Sequence, residues 1–491
     1  MSFPQVTISK VASNVGSAPP SNVGMLAIVA GAAQGPTNVP SVYARTDLAL
    51  STFGFGPLVE FAAYTIDNAN TPVVLVRPTQ AQAATYGAVT HTGVLGTCVP
   101  SAGATAPLEH YGAIVTIVAG GTVGVAGITY TYSLDGGTTT SGIQALGTLS
   151  ILTIPNSGVS FALAAGTVLA GDTWNCWTER ALATDADLPA TFTALGNTRN
   201  LWEGALFDGV VDASTVGLID TWLAGLEGQG QFHFALVNLR FKNEPQPTAE
   251  TEAAYATAMG TIVANAASFR VCVGGDGAHV PSPMTGLNLK RPTAMLVGAR
   301  AMQIPIGTDP AYVATGALSG AQLSDPNGNP LDHDEALFPT LDSLRLMSLR
   351  TFAQGGPQGV YVCNANTIQS FGQDYPYLQF IRIMNRACTI AWGLLSTELS
   401  RGVNKNPKPD PNTGAIHIFE PDAAAIELKI NGPLQSALKG QVSQVLFSLS
   451  RTDDLSVTPA TVHALISIVA KAYIKGYAVT TEYSKTLQIA F

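Results

Sequence analysis

Three textures of apolar and polar positions succeed one another along the chain. The first and third mix helical and strand periodicity, and the second has strand periodicity alone. Gln5-Val6-Thr7-Ile8-Ser9-Lys10 alternates, with Val6 and Ile8 opposed to Gln5, Thr7 and Ser9, so a short strand is predicted there. A breaker-rich linker, Ser13–Pro20, follows it. Val23–Ala30 is apolar throughout most of its length and predicts a buried strand, closed by a turn-rich loop at Gly31–Pro40. Thr46-Asp47 opens a short helix through Leu50. After Gly54-Phe55-Gly56, a hinge or helix entry, a helix from Val59 to about Asp67 leads to a second buried strand, Val73–Arg77. This is a β–loop–α–β module of mixed α/β type.

From about Thr97 to Asp185 the helical period disappears. Short alternating runs at Ala113–Val118, Ile128–Ser133 and Phe161–Leu169 are separated by turn clusters such as Asp135-Gly136-Gly137 and Gly171-Asp172, which predicts an inserted sandwich or barrel. The mixed pattern then returns. Helices are predicted at Val216–Leu226, Thr248–Ala267, Arg291–Met302 and Glu335–Ser348, with strands at Phe232–Leu239 and Arg270–Val273.

The last third is patterned most clearly. Tyr377, Phe380, Ile381, Met384, Ala387, Ala391, Leu394, Leu395 and Glu398 trace one face of an amphipathic helix. Glu420-Pro421-Asp422 opens a second helix, with proline in a tolerated first-turn position, and Gly432-Pro433 interrupts or ends it. Gln441–Ser450 reads as a strand. Thr461–Lys475 partly fits alternation, but Val462, Leu465, Ile466, Val469, Ala472 and Tyr473 fit a helix better, stopped by Gly476. Beyond that glycine, Val479, Thr481, Tyr483, Lys485, Leu487 and Ile489 oppose the intervening residues in a closing strand.

Both ends of the sequence therefore read as strands, the first on a flexible tether. An edge strand with an apolar face invites strand addition from another chain, and natural proteins usually suppress such edges. On pattern alone, pairing of both strands within their own subunit stays open as the alternative.

Composition adds to this picture in one respect. Of 491 residues 46% are hydrophobic, enough for several cores, yet only 12% are charged, about half the usual ~25%. Isolated monomers cover themselves with charge, so a surface built from Gly, Ala, Ser and Thr points to cover by neighbouring copies. The net charge of −9 and the lack of any basic run argue against nucleic-acid binding. Five widely spaced cysteines (Cys98, Cys176, Cys272, Cys363, Cys388) without a CxxC pair read as small buried hydrophobes of a reducing compartment. No secretory signal is expected, and the apolar runs are too short to span a bilayer.

No catalytic constellation emerges. Gly274-Gly275-Asp276-Gly277 lacks the Lys-Ser/Thr of a P-loop and reads as a tight turn. His333-Asp334-Glu335 reads as the acidic start of a helix, Asp135-Gly136-Gly137 as a hairpin turn, and GxSxG is absent. No catalytic, cofactor-binding or metal-binding residues are assigned, and no enzyme is expected.

Gly35-Pro36-Thr37-Asn38-Val39-Pro40, then Phe53-Gly54-Phe55-Gly56-Pro57-Leu58, then Pro72–Arg77 resemble the start of the folded body in contractile phage tail sheath proteins. The order of elements in the last third, closing near Tyr473-Ile474-Lys475-Gly476, is similar to that family as well. The resemblance implies an α+β (mixed α/β) multidomain fold with an inserted all-β domain and a C-terminal α/β domain completed by strands from neighbours. It implies an arm and linker at 1–22, a middle domain at 23–96 plus 186–349, an insertion at 97–185, an assembly domain at 350–476 and a strand arm at 477–491. Gln5, Val6, Thr7, Ile8, Ser9 and Lys10, with Val479, Thr481, Tyr483, Lys485, Leu487 and Ile489, would be the inter-subunit strands. The implied partners are other copies of the chain in stacked hexameric rings, a tail tube protein, and baseplate and tail terminator proteins, with no cofactor, no direct nucleic acid and no membrane insertion. Such a protein would be assembled in the host cytoplasm and reside in the virion tail. The other readings are a tube, baseplate or related injection-apparatus subunit, or a surface-binding module acting through the β-rich insertion.

Overall fold

The computed structural model describes residues 24–94, 96–198, 201–243, 249–325, 328–331, 338–352, 356–369, 375–457, 460–473 and 475. Its centre is a six-stranded sheet formed from β1 (Met25–Val29), β2 (Ser41–Tyr43), β3 (Val73–Val76), β4 (Trp202–Phe207), β5 (Phe234–Asn238) and β6 (Val271–Gly274). Their order is β6-β5-β4-β1-β3-β2, parallel except for β2, which pairs antiparallel with β3. Near-continuous runs such as Val-Val-Leu-Val suit strands covered on both faces. Leu26 and Ile28 face one layer, with α1 (Thr46–Phe53) and α2 (Pro57–Ala69). Ala27 and Val29 face the other, with α3 (Leu188–Gly196), α4 (Ala213–Glu227) and α5 (Glu252–Ile262). α6 (Thr293–Gln303) packs beside α2 in the first layer.

Local chemistry explains several boundaries. Gly54 (φ 67°) closes α1 and Gly56 (φ 134°) opens α2, so the Gly-Phe-Gly step is a two-glycine corner between helices. α4 begins with a reciprocal capping box between Asp212 and Thr215. α5 is shorter than the periodicity of Thr248–Ala267 predicts, and Asn265 turns the chain at φ 68°. α7 spans Phe338–Ser343, and Arg345 (φ 62°) breaks the expected 335–348 helix before a strand at Ser348–Arg350. His333-Asp334-Glu335 lies outside the described residues.

The β-rich segment has its own core around Trp174, Phe161, Val115 and Ile117. Its long strands Gly112–Ala119 and Thr173–Glu179 are antiparallel neighbours, and Thr85–Tyr86 and Thr90–Thr92, upstream of residue 97, also pair with Thr173–Glu179. The run Phe161–Leu169 is two strands, Ser160–Leu163 and Thr167–Val168, parted by Gly166 at φ 153°. A buried chain of charges joins this segment to the central body. Arg291 lies 3.1 Å from Glu60 of α2 and 2.7 Å from Glu109, while Arg180 lies 3.7 Å from Glu109 and binds Asp208 at the end of β4. Burial pushes the Glu60 carboxyl above its ordinary value against the pull of Arg291.

α8 (Leu378–Ser396) belongs to two cores. Leu378 and Ile381 sit in the central core, and Ile383 and Ala387 in a second one. That second core is completed by α9 (Glu420–Ala437) and an antiparallel pair, β7 (Gln444–Leu449) and β8 (Ala464–Val469). Two expectations are corrected here. α9 runs through Gly432-Pro433, because Ile430, Leu434 and Leu438, all fully buried, hold the stripe on either side of the proline. Thr461–Lys475 is not a helix. Its centre is β8, because Ile466 and Ile468 find Phe447 and Val445 directly opposite, and cross-strand packing of β-branched residues overrides the helical spacing.

Candidate strand-addition site

All the residues expected to form shared strands, Gln5–Lys10 and the alternate positions from Val479 to Ile489, lie outside the described residues. What the structure describes is the sheet they would meet and the two points from which they leave.

The β7–β8 ribbon has one covered face. Val445, Phe447 and Leu449 are buried against α9, while Leu446, Leu465 and Val469 are exposed on the opposite face. A two-stranded sheet is marginal by itself, and this one has two lateral edges. The Ser450 N–H donates to the His463 carbonyl at 2.7 Å, which sets the phase of the antiparallel ladder. With Phe447 opposite Ile466 and Leu449 opposite Ala464, the main-chain groups of 447 and 449 point out from β7, and those of 464, 466 and 468 point out from β8.

The two edges differ chemically. On β7, the Asn431 amide of α9 takes the place of a neighbouring strand: its Nδ2 donates to the Phe447 carbonyl at 2.8 Å, and its Oδ1 accepts the Phe447 N–H at 2.7 Å. The Leu449 N–H donates to Glu427 Oε1 at 2.7 Å, and Arg451 donates to the Leu449 carbonyl at 2.9 Å. Arg451 also grips Glu427 and Glu420, and its hydrogen bonds hold the Glu427 carboxyl below the usual carboxylate range. On β8 no such cap exists among the described residues: the outward main-chain groups of Ala464, Ile466 and Ile468 meet no partner there. One edge is closed by side chains and the other is open.

The chain ends leave from fixed points around the first half of α8. At the N-terminal root, the Gly24 N–H donates to Glu203 Oε2 at 3.3 Å, and Glu203 is held by the buried Arg382 of α8 at 2.5 Å. At the C-terminal root, Tyr473 donates to the Gly307 carbonyl at 2.6 Å and sets its ring edge-on to Phe380. The Lys475 ammonium lies 2.5 Å from Asp309, 2.8 Å from Asn364 and 4.4 Å over the Tyr377 ring. Sequence reasoning missed Asn431, Glu427 and Arg451. The signal available was the Glu427–Asn431 spacing of four on a helix face that also carries Leu434, masked because Asn431-Gly432-Pro433 reads as a stop.

Outside this region the described residues hold no group of three or more His, Cys, Asp or Glu side chains suited to a metal ion, and no helix is long and apolar enough to cross a membrane. The five cysteines are free, four of them buried.

Among solved structures, the chain is similar to a sheath tail protein from Listeria innocua, at 11% identity over 92% of this chain and 96% of that one, with a TM-score of 0.44. It is similar to a sheath tail protein from Desulfitobacterium hafniense, at 11% identity over 94% and 100%, with a TM-score of 0.45. It is also similar to the sheath complex of an extracellular contractile injection system, PVC, in its contracted state, at 10% identity over 99% and 98%, with a TM-score of 0.48. No curated protein matches the chain. The family model described as DUF2586, N-terminal domain, matches residues 3–366, well over half of the sequence, and the chain therefore belongs to that family.

Proposed function

We propose that this protein is a structural sheath subunit that polymerises around a tube and holds its lattice together by exchanging terminal strands between copies. The observation that carries the reading is the open edge of β8, presented on a ribbon too small to stand alone, in a chain whose first and last segments alternate as strands do. The Gly-Pro, Phe-Gly and Val-rich segments that resemble tail sheath proteins support it, as does the low charged fraction. In this reading 350–476 is the assembly domain, and 97–185 is an insertion carried on the body formed by 23–96 and 186–349. Contraction of the lattice, with a tube driven forward inside it, is the activity such a protein performs, and no nucleotide or metal is needed for it. A terminal strand making six backbone hydrogen bonds at about 1 kcal/mol net each would contribute several kcal/mol before ordering costs.

The test is truncation. Deleting residues 1–20, or 477–491, should leave folded monomers by size-exclusion chromatography and circular dichroism that form no sheaths by electron microscopy. Normal sheaths from either truncation would refute the shared-strand reading.

A further inference from the structure

A cleft of about 390 Å³ opens outside the carboxyl ends of β1 and β3. Ala32 and Ala33 line it after β1, Arg77 and Gln80 after β3, and Pro107 and Leu108 from the β-rich segment. The parallel strands lie in the order β6-β5-β4-β1-β3, so the chain places β3 on one side of β1 and then β4 on the other. Open α/β sheets bind ligands outside their strand ends at such a reversal. The volume also falls within the range of small-molecule sites, roughly 300–1,000 Å³, and the lining is mostly small and apolar, as theirs is.

Among the described residues Arg77 is the one charged member of that lining. Its backbone is fixed at the end of β3, where Thr37 pairs with it and the Asn38 N–H donates to its carbonyl at 2.8 Å. A guanidinium carries five N–H donors. Here Nη1 donates to the Gly35 carbonyl at 2.9 Å, while the buried Nε has no partner among the described residues. The edge left over is Nε with Nη2. Elsewhere in this protein that same edge holds a carboxylate: Arg180 binds Asp208, Arg270 binds Glu227, Arg382 binds Glu203 and Arg451 binds Glu420 in this way. Asp187 does not serve Arg77, because its carboxylate accepts from the Ala81 and Thr184 N–H groups at 2.9 and 2.8 Å. Gln80 donates to the Ala181 carbonyl at 2.6 Å. We infer that the cleft binds a small organic oxyanion, a carboxylate or a phosphate monoester. Two of its oxygens take the Nε–Nη2 edge of Arg77, and its apolar part lies against Pro107 and Leu108. Paired N–H donors on a planar cation suit such an anion better than any single ammonium. The bound ligand touches the body and the β-rich segment together, and so ties one to the other.

Ligand-observed NMR titration of the full chain tests the site with benzoate and phenyl phosphate, and with benzyl alcohol as the uncharged control. Saturable binding of at least one anion is expected, with benzyl alcohol about 10–100-fold weaker, the worth of charge-assisted hydrogen bonds. A preference between the two anions tells carboxylate from phosphate. Arg77→Gln should weaken the anion by the same factor. Because Arg77 also holds the Gly35 loop, a second variant is needed. Ala106→Trp keeps the guanidinium and fills the cleft from an exposed position of the β-rich segment, and it should weaken the anion too. If Arg77→Gln does not fold, Ala106→Trp decides alone. Hydrogen exchange should slow at 31–37 and at 106–108 together when the anion is bound, and protection of one side only would refute the tie. No saturable binding to the wild type, equal binding of benzyl alcohol, or undiminished anion binding in a folded variant overturns the site.

Discussion

At the scale of single residues, Asn431 does the work of a missing strand. Its amide meets both main-chain groups of Phe447, so Asn431→Ala leaves a donor and an acceptor uncompensated at a half-buried site. A loss of about 1–3 kcal/mol is expected by chemical denaturation, with Asn431→Asp recovering only the N–H bond. Glu427 adds a pH dependence. Its folded pKa lies below the ordinary 4.5, held there first by the hydrogen bond from Arg451, so its contribution is present above pH 4.5 and is lost as pH falls through the depressed value. Acid titration of thermal stability should show a loss below pH 4.5 that Glu427→Gln removes. A wild-type and variant pair with parallel curves would count against the assignment.

At the scale of elements, the sequence is informative wherever local pattern and tertiary packing agree. Four strands of the central sheet, β1, β3, β5 and β6, are legible as short apolar runs because both faces are covered, whereas β2 and β4 are not among the predicted elements; α8 is legible because its stripe faces cores at both ends. Three features are hidden, each for its own reason. Ala464–Val469 satisfies helical spacing as well as alternation, and only the partners across the ladder, Val445 and Phe447, choose between them. Pro433 announces a stop that buried Leu434 and Leu438 override. Arg382, Gln379 and Asn385 lie on α8 where an apolar stripe predicts surface, yet all three are buried, and Arg382 is matched by Glu203, 179 residues away. The strand-exchange residues themselves are proposed from alternation in the sequence alone. Leu434→Ala should cost about 2–5 kcal/mol, because it removes the first buried contact beyond the proline and leaves a cavity in the second core. A loss under about 1 kcal/mol would mean that α9 is not held in this way.

At the scale of the whole molecule, the β-rich segment is joined to the body by buried charges. Glu60, Arg291, Glu109, Arg180 and Asp208 form one chain, and removing a member strands the others away from water. Arg291→Met should therefore cost about 3–5 kcal/mol, more than the loss of a surface pair, while the double variant Arg291→Met with Glu60→Leu should recover part of it. Proteolysis that released a folded β-rich fragment from the wild type under native conditions would argue against so firm a joint.

One helix remains to be followed to its consequence. Because α8 is packed into two cores and grips both exits of the chain, through Arg382 and Glu203 at Gly24 and through Tyr377 and Phe380 at Lys475 and Tyr473, a pull on either end enters the same rod. Traction in a filament of such units would be shared between α8 and the central sheet, because Glu203 belongs to β4 and Gly24 leads into β1. The subunit would then swing as a unit, like a link in a chain.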